Sequence, residues 1–236
     1  MKSTALLLLL GTLLLLGQQK KELPQPRAVT PGALPGAPPS DAIVLFSAGT
    51  GVDGWTKPDG SPTGCRADNN LMICATGAKD AISKVKYGAV QMHLEFAPPL
   101  MADQKGQLRG NSGVYLQGRY EVQILDSFEN PTYADGALGA VYGESAPLVN
   151  AARRPGEWQT YDIVFHPHKC DADGKVTEMG SVTVILNGVL VQDHHRIQNT
   201  KGGCSDGPLL LQDHSGFKGA PHTEMKFRNI WIRRLD

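Results

Sequence analysis

The chain is predicted to fold as an all-β sandwich or jelly roll of two antiparallel sheets. Apolar and polar residues alternate with period two along its length, as expected of strands that bury one face. Glycine and proline supply 27 and 16 of the 236 residues, a density that implies many turns and short elements. No stretch of ten or more residues carries a convincing helical period, which argues against a parallel α/β fold.

The first segments are read as targeting and spacing. Met1-Lys2-Ser3 leads into an apolar run from Thr4 to Gly17 with nine leucines, followed by Gln18-Gln19-Lys20-Lys21-Glu22. One basic residue ahead of a short apolar run fits a secretory signal over residues 1–19, and the run is short for a spanning helix. Residues 20–40 form a proline-rich linker, with six prolines between Leu23 and Ser40, that cannot build a core. The folded domain is expected over residues 41–236, in a secreted or periplasmic protein.

Four cysteines in an exported chain point to disulfides. Cys65 and Cys74 flank a hairpin turning at Asp68-Asn69-Asn70, which puts them on facing strands and leaves Cys170 to pair with Cys204. No C-x-x-C pair is present to support a zinc site instead.

The strands then follow in order. In Gln91–Phe96, Met92, Leu94 and Phe96 share one face, and Gln91, His93 and Glu95 the other. In Tyr120–Leu125, Tyr120, Val122 and Ile124 oppose Glu121 and Gln123. Further strands are expected at Thr160–Phe165, at Ser181–Leu186 turning through Asn187-Gly188 into Val189–Gln192, at Leu209–His214 and at Lys226–Arg233. Asn-Gly suits a two-residue hairpin turn, where both positions need positive φ.

Lysine plus arginine equals aspartate plus glutamate at 23 each, so composition gives no case for a nucleic-acid partner. The informative residues are polar pairs two apart on a strand: His93/Glu95, Glu121/Gln123 and Gln212/His214. Each pair is expected to project from one face, and three such strands side by side would line a groove suited to sugars. A His/Glu metal site from His93, Glu121 and His214 requires those strands to adjoin, so a divalent metal is left open. Trp55, Trp158 and Trp231 are candidates for core packing or for stacking on sugar rings.

Asn111-Ser112-Gly113-Val114-Tyr115-Leu116-Gln117-Gly118, followed by Tyr120-Glu121-Val122-Gln123-Ile124-Leu125-Asp126-Ser127, resembles the signature of the 3-keto-disaccharide hydrolase domain family. Other pieces are similar and fall in the same order: Gly139-Ala140-Val141-Tyr142, Asn150-Ala151-Ala152, Gly207–His214 and Phe227-Arg228-Asn229-Ile230. The resemblance covers about residues 43–235. It implies a concanavalin-like jelly roll with a concave ligand face, acting on glycosides whose sugar is a ketone at carbon 3.

On that reading Glu121 is the first candidate for acid/base work, with His214 as its partner. Asn111, Gln123 and Gln212 are expected to hydrogen-bond hydroxyls or the ketone, and Asp126, Tyr142, Asn150 and Asp213 to line the rim. The ketone acidifies the carbon-2 proton, so one base suffices for elimination and the carboxylate pair of ordinary glycosidases is not required. No dinucleotide-binding glycine motif follows a strand, so no nucleotide cofactor is expected, and a separate sugar 3-dehydrogenase is expected to supply the ketone. The alternative reading is a non-catalytic carbohydrate-binding module using the same concave face.

Overall fold

The structure, a computed structural model, describes residues 24–25, 27–28, 36–216 and 222–236. The predicted signal segment lies outside the described residues, as do much of the proline-rich linker and residues 217–221. Among the described residues no helix is long and apolar enough to cross a membrane.

The fold is the all-β sandwich that the alternation predicts. In chain order its strands are β1 (Ile43–Phe46), β2 (Trp55–Thr56), β3 (Arg66–Asp68), β4 (Leu71–Ala75), β5 (Ala81–Tyr87), β6 (Val90–Ala97), β7 (Ser112–Leu116), β8 (Tyr120–Ile124), β9 (Gln159–His166), β10 (Ser181–Leu186), β11 (Val189–Arg196), β12 (Gly207–Leu211) and β13 (Glu224–Arg234). A large eight-stranded sheet runs β11-β10-β9-β6-β13-β4-β3, with β1 also paired to β13. A small five-stranded sheet runs β2-β5-β12-β7-β8, and pairing within both sheets is antiparallel. Arg27–Ala28 pair in parallel with Val149–Asn150, so this part of the proline-rich segment lies on the domain instead of standing clear of it.

The core is the apolar half of each alternation. Met92, Leu94 and Phe96 of β6 and Tyr161, Ile163 and Phe165 of β9 meet Val114, Leu116, Val122 and Ile124 of the small sheet, all buried. Two turns close as their residues dictate. Asn69 (φ 54°) carries the β3–β4 turn, and Asn187 and Gly188 (φ 53° and 82°) carry the β10–β11 turn. The disulfides pair Cys65 with Cys74 and Cys170 with Cys204, as expected.

One open question is answered and one expectation is corrected. His93 and Glu95 do not share a groove with Glu121. They lie on β6 of the large sheet, whose outer face is on the opposite side of the sandwich from the outer face of β8. The set His93, Glu121 and His214 therefore does not converge, and the described residues contain no cluster of three His, Cys, Asp or Glu side chains placed to hold a metal. The strand expected at Leu209–His214 ends at Leu211, and His214 opens a 3-10 turn, His214–Gly216. Asp213 bends the chain there. Its carboxylate accepts from the backbone N–H of Gly77, Lys79 and Ser215 and from Ser215 Oγ, while its own N–H donates to Asp80 Oδ1.

Candidate active site

The outer face of the small sheet carries the candidate site. The register sets Tyr115 opposite Glu121, Gly113 opposite Gln123 and Leu210 opposite Tyr115. The N–H of Gln212 donates to Gly113 O (3.0 Å), which continues the ladder past the end of β12. Beyond β8, Gln123 N–H donates to Ala140 O (3.0 Å) and Tyr142 N–H to Glu121 O (3.0 Å), so residues 139–142 act as one more edge. Val141 pairs with Val122 and is buried, which turns Tyr142 outward beside Glu121.

Glu121 is the centre of this face. Tyr115 Oη donates to Glu121 Oε2 (2.7 Å), and Gln212 Nε2 donates to Tyr115 Oη (3.1 Å). Gly113 makes room for the carboxylate, because a Cβ at that position would overlap Glu121 Oε1 and crowd the Tyr115 ring. Burial pushes the Glu121 carboxyl up to about 7, against the smaller lowering effect of the Tyr115 hydrogen bond. Burial and the neighbouring Glu121 charge hold the Tyr115 hydroxyl well above its ordinary value. Glu121 therefore titrates near neutrality, and Tyr115 stays a protonated donor.

A glutamine network walls one side. Gln107 Nε2 donates to Thr132 Oγ1 (2.9 Å) and Gly136 O (2.9 Å), and its Oε1 accepts from Asn111 Nδ2 (3.1 Å) and Gln123 Nε2 (3.1 Å). Gln123 and Gln212 each keep a buried Oε1 with no partner among the described residues. On the rim, Tyr133 and Tyr142 share a hydroxyl–hydroxyl bond (2.6 Å) and are both exposed.

Asn111, Gln212, Asp213 and His214 line a neighbouring pocket with Met101 and Leu108, so Gln212 belongs to both places. Burial lowers the His214 imidazole, opposed by the charge of Asp213. Other predicted residues serve the loops. Asp126 is buried and paired with Arg109 (2.9 Å), which also donates to Phe128 O. Asn150 donates to Ser127 O (2.8 Å) and accepts from Ala152 N–H (3.1 Å). Arg119 donates to Ser205 O (2.9 Å) and Gln117 Oε1 (3.2 Å).

Tyr115, Gly113 and Gln107 join the candidate site beyond the residues that the sequence reading names. Gly113 and Tyr115 alternate within the NSGVYLQG run and so share the outward face, a signal that was available. Gln107 sits on a 3-10 turn, Gly106–Leu108, where no periodicity marks it.

The sandwich thus carries a half-buried, tyrosine-bonded carboxylate on the outer face of its small sheet. The chain belongs to the 3-keto-alpha-glucoside-1,2-lyase-like domain family, whose model matches residues 41–233. It is similar to a candidate glycosyl hydrolase from Parabacteroides distasonis ATCC 8503, at 39% identity and a TM-score of 0.77, over 90% of this chain and 93% of that one. A second candidate glycosyl hydrolase from the same organism shares the fold at 19% identity and a TM-score of 0.56, over 78% and 89% of the two chains. The alginate lyase Aly36B shares the fold at 9% identity and a TM-score of 0.51, over 83% and 97%. No curated protein matches the chain.

Proposed function

We propose that this protein is an exported enzyme that cleaves the glycosidic bond of 3-keto-glycosides by elimination, with Glu121 as the base. The observation that carries the reading is the Glu121 carboxyl itself, raised to about 7 on an open sheet face and oriented by Tyr115. A base works best with a pKa near the working pH. The description of the family as a 1,2-lyase agrees with elimination across carbons 1 and 2.

The carbon-3 ketone lets the carbon-2 C–H electron pair delocalise into an enolate while Glu121 takes the proton. Collapse of the enolate forms the carbon-1 to carbon-2 double bond and breaks the bond from carbon 1 to the glycosidic oxygen. The departing oxygen takes a proton from Glu121, from His214 or from water. Water added across the double bond then gives the 3-keto sugar, and the sum is hydrolysis. Tyr115 orients the base, and Gln123, Gln212 and Asn111 are placed to hold the sugar. His214, beside Gln212, is the second proton carrier in this scheme. The leucine-rich start of the sequence and the two disulfides support export. A separate sugar 3-dehydrogenase supplies the substrate.

The test is an incubation with a 3-keto-glucoside in deuterium oxide. Deuterium should enter carbon 2 of substrate or product with the wild type and not with Glu121→Gln. A hydrolysed 3-keto sugar without deuterium at carbon 2, formed with no product lighter by one water, would rule out the elimination route.

A further inference from the structure

The outer face of the large sheet carries a second constellation that the proposed chemistry does not use. Of the three tryptophans, Trp55 and Trp231 are buried, at 1% and 5% exposed, while Trp158 is only half-buried and lines a groove. The groove encloses about 500 Å³ among Leu71, Ala97, Pro99, Leu100, Trp158 and Lys226. That lies within the range of small-ligand sites, roughly 300–1,000 Å³. Lys226 pairs with Ala97 across β13 and β6, next to the buried Phe227–Phe96 pair, so both floor residues point away from the core. Leu100 is 75% exposed and lies against Gly156, where an added Cβ would come within 3.4 Å of it.

The indole is braced from behind. Arg228 Cζ sits 4.0 Å from the Trp158 ring centroid. Arg228 bonds Glu95 through Nη2 (2.6 Å) and Nε (2.7 Å), and Asn229 Nδ2 donates to the other Glu95 oxygen (3.0 Å). Behind Glu95 stands His93 (3.8 Å), bonded to Asp162 (2.7 Å) and stacked on Trp231. A buried ion pair is weak evidence for stability in itself. What this chain of charges does is hold one aromatic surface in a fixed pose, and a preorganised platform loses little entropy on binding.

We propose that this groove is a second, non-catalytic binding site for a neutral saccharide. A pyranose ring sets its C–H face on the indole and the apolar floor, and its hydroxyls reach Lys226 and Glu224. The charges are of both signs, and Glu224 is already paired with Arg66 (2.9 Å), so the lining favours an uncharged polyol over an ionic ligand. The site lies across the sandwich from Glu121, so it holds a glycan without competing for the Glu121 face, and it does not depend on the 3-keto reading.

The experiment is calorimetric titration of the mature chain with neutral glucose hexasaccharides, α-1,4- and β-1,4-linked. A hexagalacturonate and a peptide of residues 23–40 serve as acidic and proline-rich controls. One neutral hexasaccharide should bind. Trp158→Ala should weaken it at least tenfold, Leu100→Ala at an exposed position should weaken it less, and Glu121→Gln should leave it unchanged. Thermal melts establish that the variants are folded. Absence of binding by both neutral sugars, binding indifferent to Trp158→Ala and Leu100→Ala, binding lost in Glu121→Gln, or a preference for either control would each overturn the proposal.

Discussion

Glu121 and Tyr115 face each other across β8 and β7, and the Tyr115 hydroxyl donates to Glu121 Oε2 at 2.7 Å. The tyrosine holds the carboxylate in place and lowers its pKa, while burial raises it, and burial is the larger effect. Glu121→Gln keeps the shape and an acceptor oxygen but removes the carboxylate proposed as the base. Turnover of a 3-keto-glucoside should fall by about 10² to 10⁴. Steady-state kinetics on the folded variant provides the check.

The Glu121 pKa sets a pH dependence. Only the ionised carboxylate takes a proton, so kcat/KM should rise with pH through about 7 and level off above it. Tyr115→Phe removes a hydrogen bond that lowers the pKa, so the rising limb should move to higher pH. A profile for Tyr115→Phe superimposable on that of the wild type would dissociate the two residues.

Gly113 supplies a test with little cost to the fold. A methyl group there meets the end of a flexible carboxylate and the Tyr115 ring, so Gly113→Ala should displace Glu121. Activity should drop at least tenfold, about 1.4 kcal/mol in the barrier, while the melting temperature moves by only a few degrees. Parallel melts and rate measurements separate the two effects.

On the opposite face, burial alone would lower the His93 imidazole, but Asp162 and Glu95 raise it to about 9. Burial would raise the Glu95 carboxyl, whereas His93, Asn229 and Arg228 hold it at about 2. The raised histidine stabilises the fold fully below about 6.5 and loses that contribution as pH rises through about 9. The depressed glutamate stabilises above about 4.5 and loses its contribution as pH falls through about 2. His93→Gln should cost about 3 kcal/mol at neutral pH, and less at pH 10, in denaturant unfolding.

The disulfides close loops of different size, with sequence separations of 9 for Cys65–Cys74 and 34 for Cys170–Cys204. Loop-closure entropy puts their contributions at about 2.6 and about 3.8 kcal/mol. Replacing Cys170 and Cys204 by serine should therefore destabilise more than replacing Cys65 and Cys74, which paired unfolding curves would reveal.

Much of this was legible in the sequence because it is local. The Asn69 and Asn187-Gly188 turns, the cysteine hairpin and the outward pairing of Glu121 with Gln123 all follow from period two and turn chemistry. Period two reports which residues share a face but not which sheet the strand joins, so spacing leaves open whether His93 and Glu95 adjoin Glu121, and β6 in fact lies in the large sheet. A bulge compounds this in β13. Asn229 (φ 48°) inserts one residue, so Met225 and Phe227 point inward before it and Ile230 and Ile232 after it, which leaves Trp231 beside His93. His214 left its strand because of contacts from Asp213 to residues more than a hundred positions away, and Gln107 reached the site on a loop. Spacing along the chain records none of these long-range contacts.

If Glu121 acts by removing the carbon-2 proton, cleavage should require a carbon-3 ketone on the sugar. Mature protein and its Glu121→Gln variant would be incubated with a 3-keto-β-glucoside and its unoxidised parent, and products followed by mass spectrometry. The keto sugar alone should be cleaved, through an intermediate lighter by one water, and only with Glu121 intact. Equal cleavage of the parent glucoside, or undiminished cleavage by Glu121→Gln, would contradict this role of Glu121.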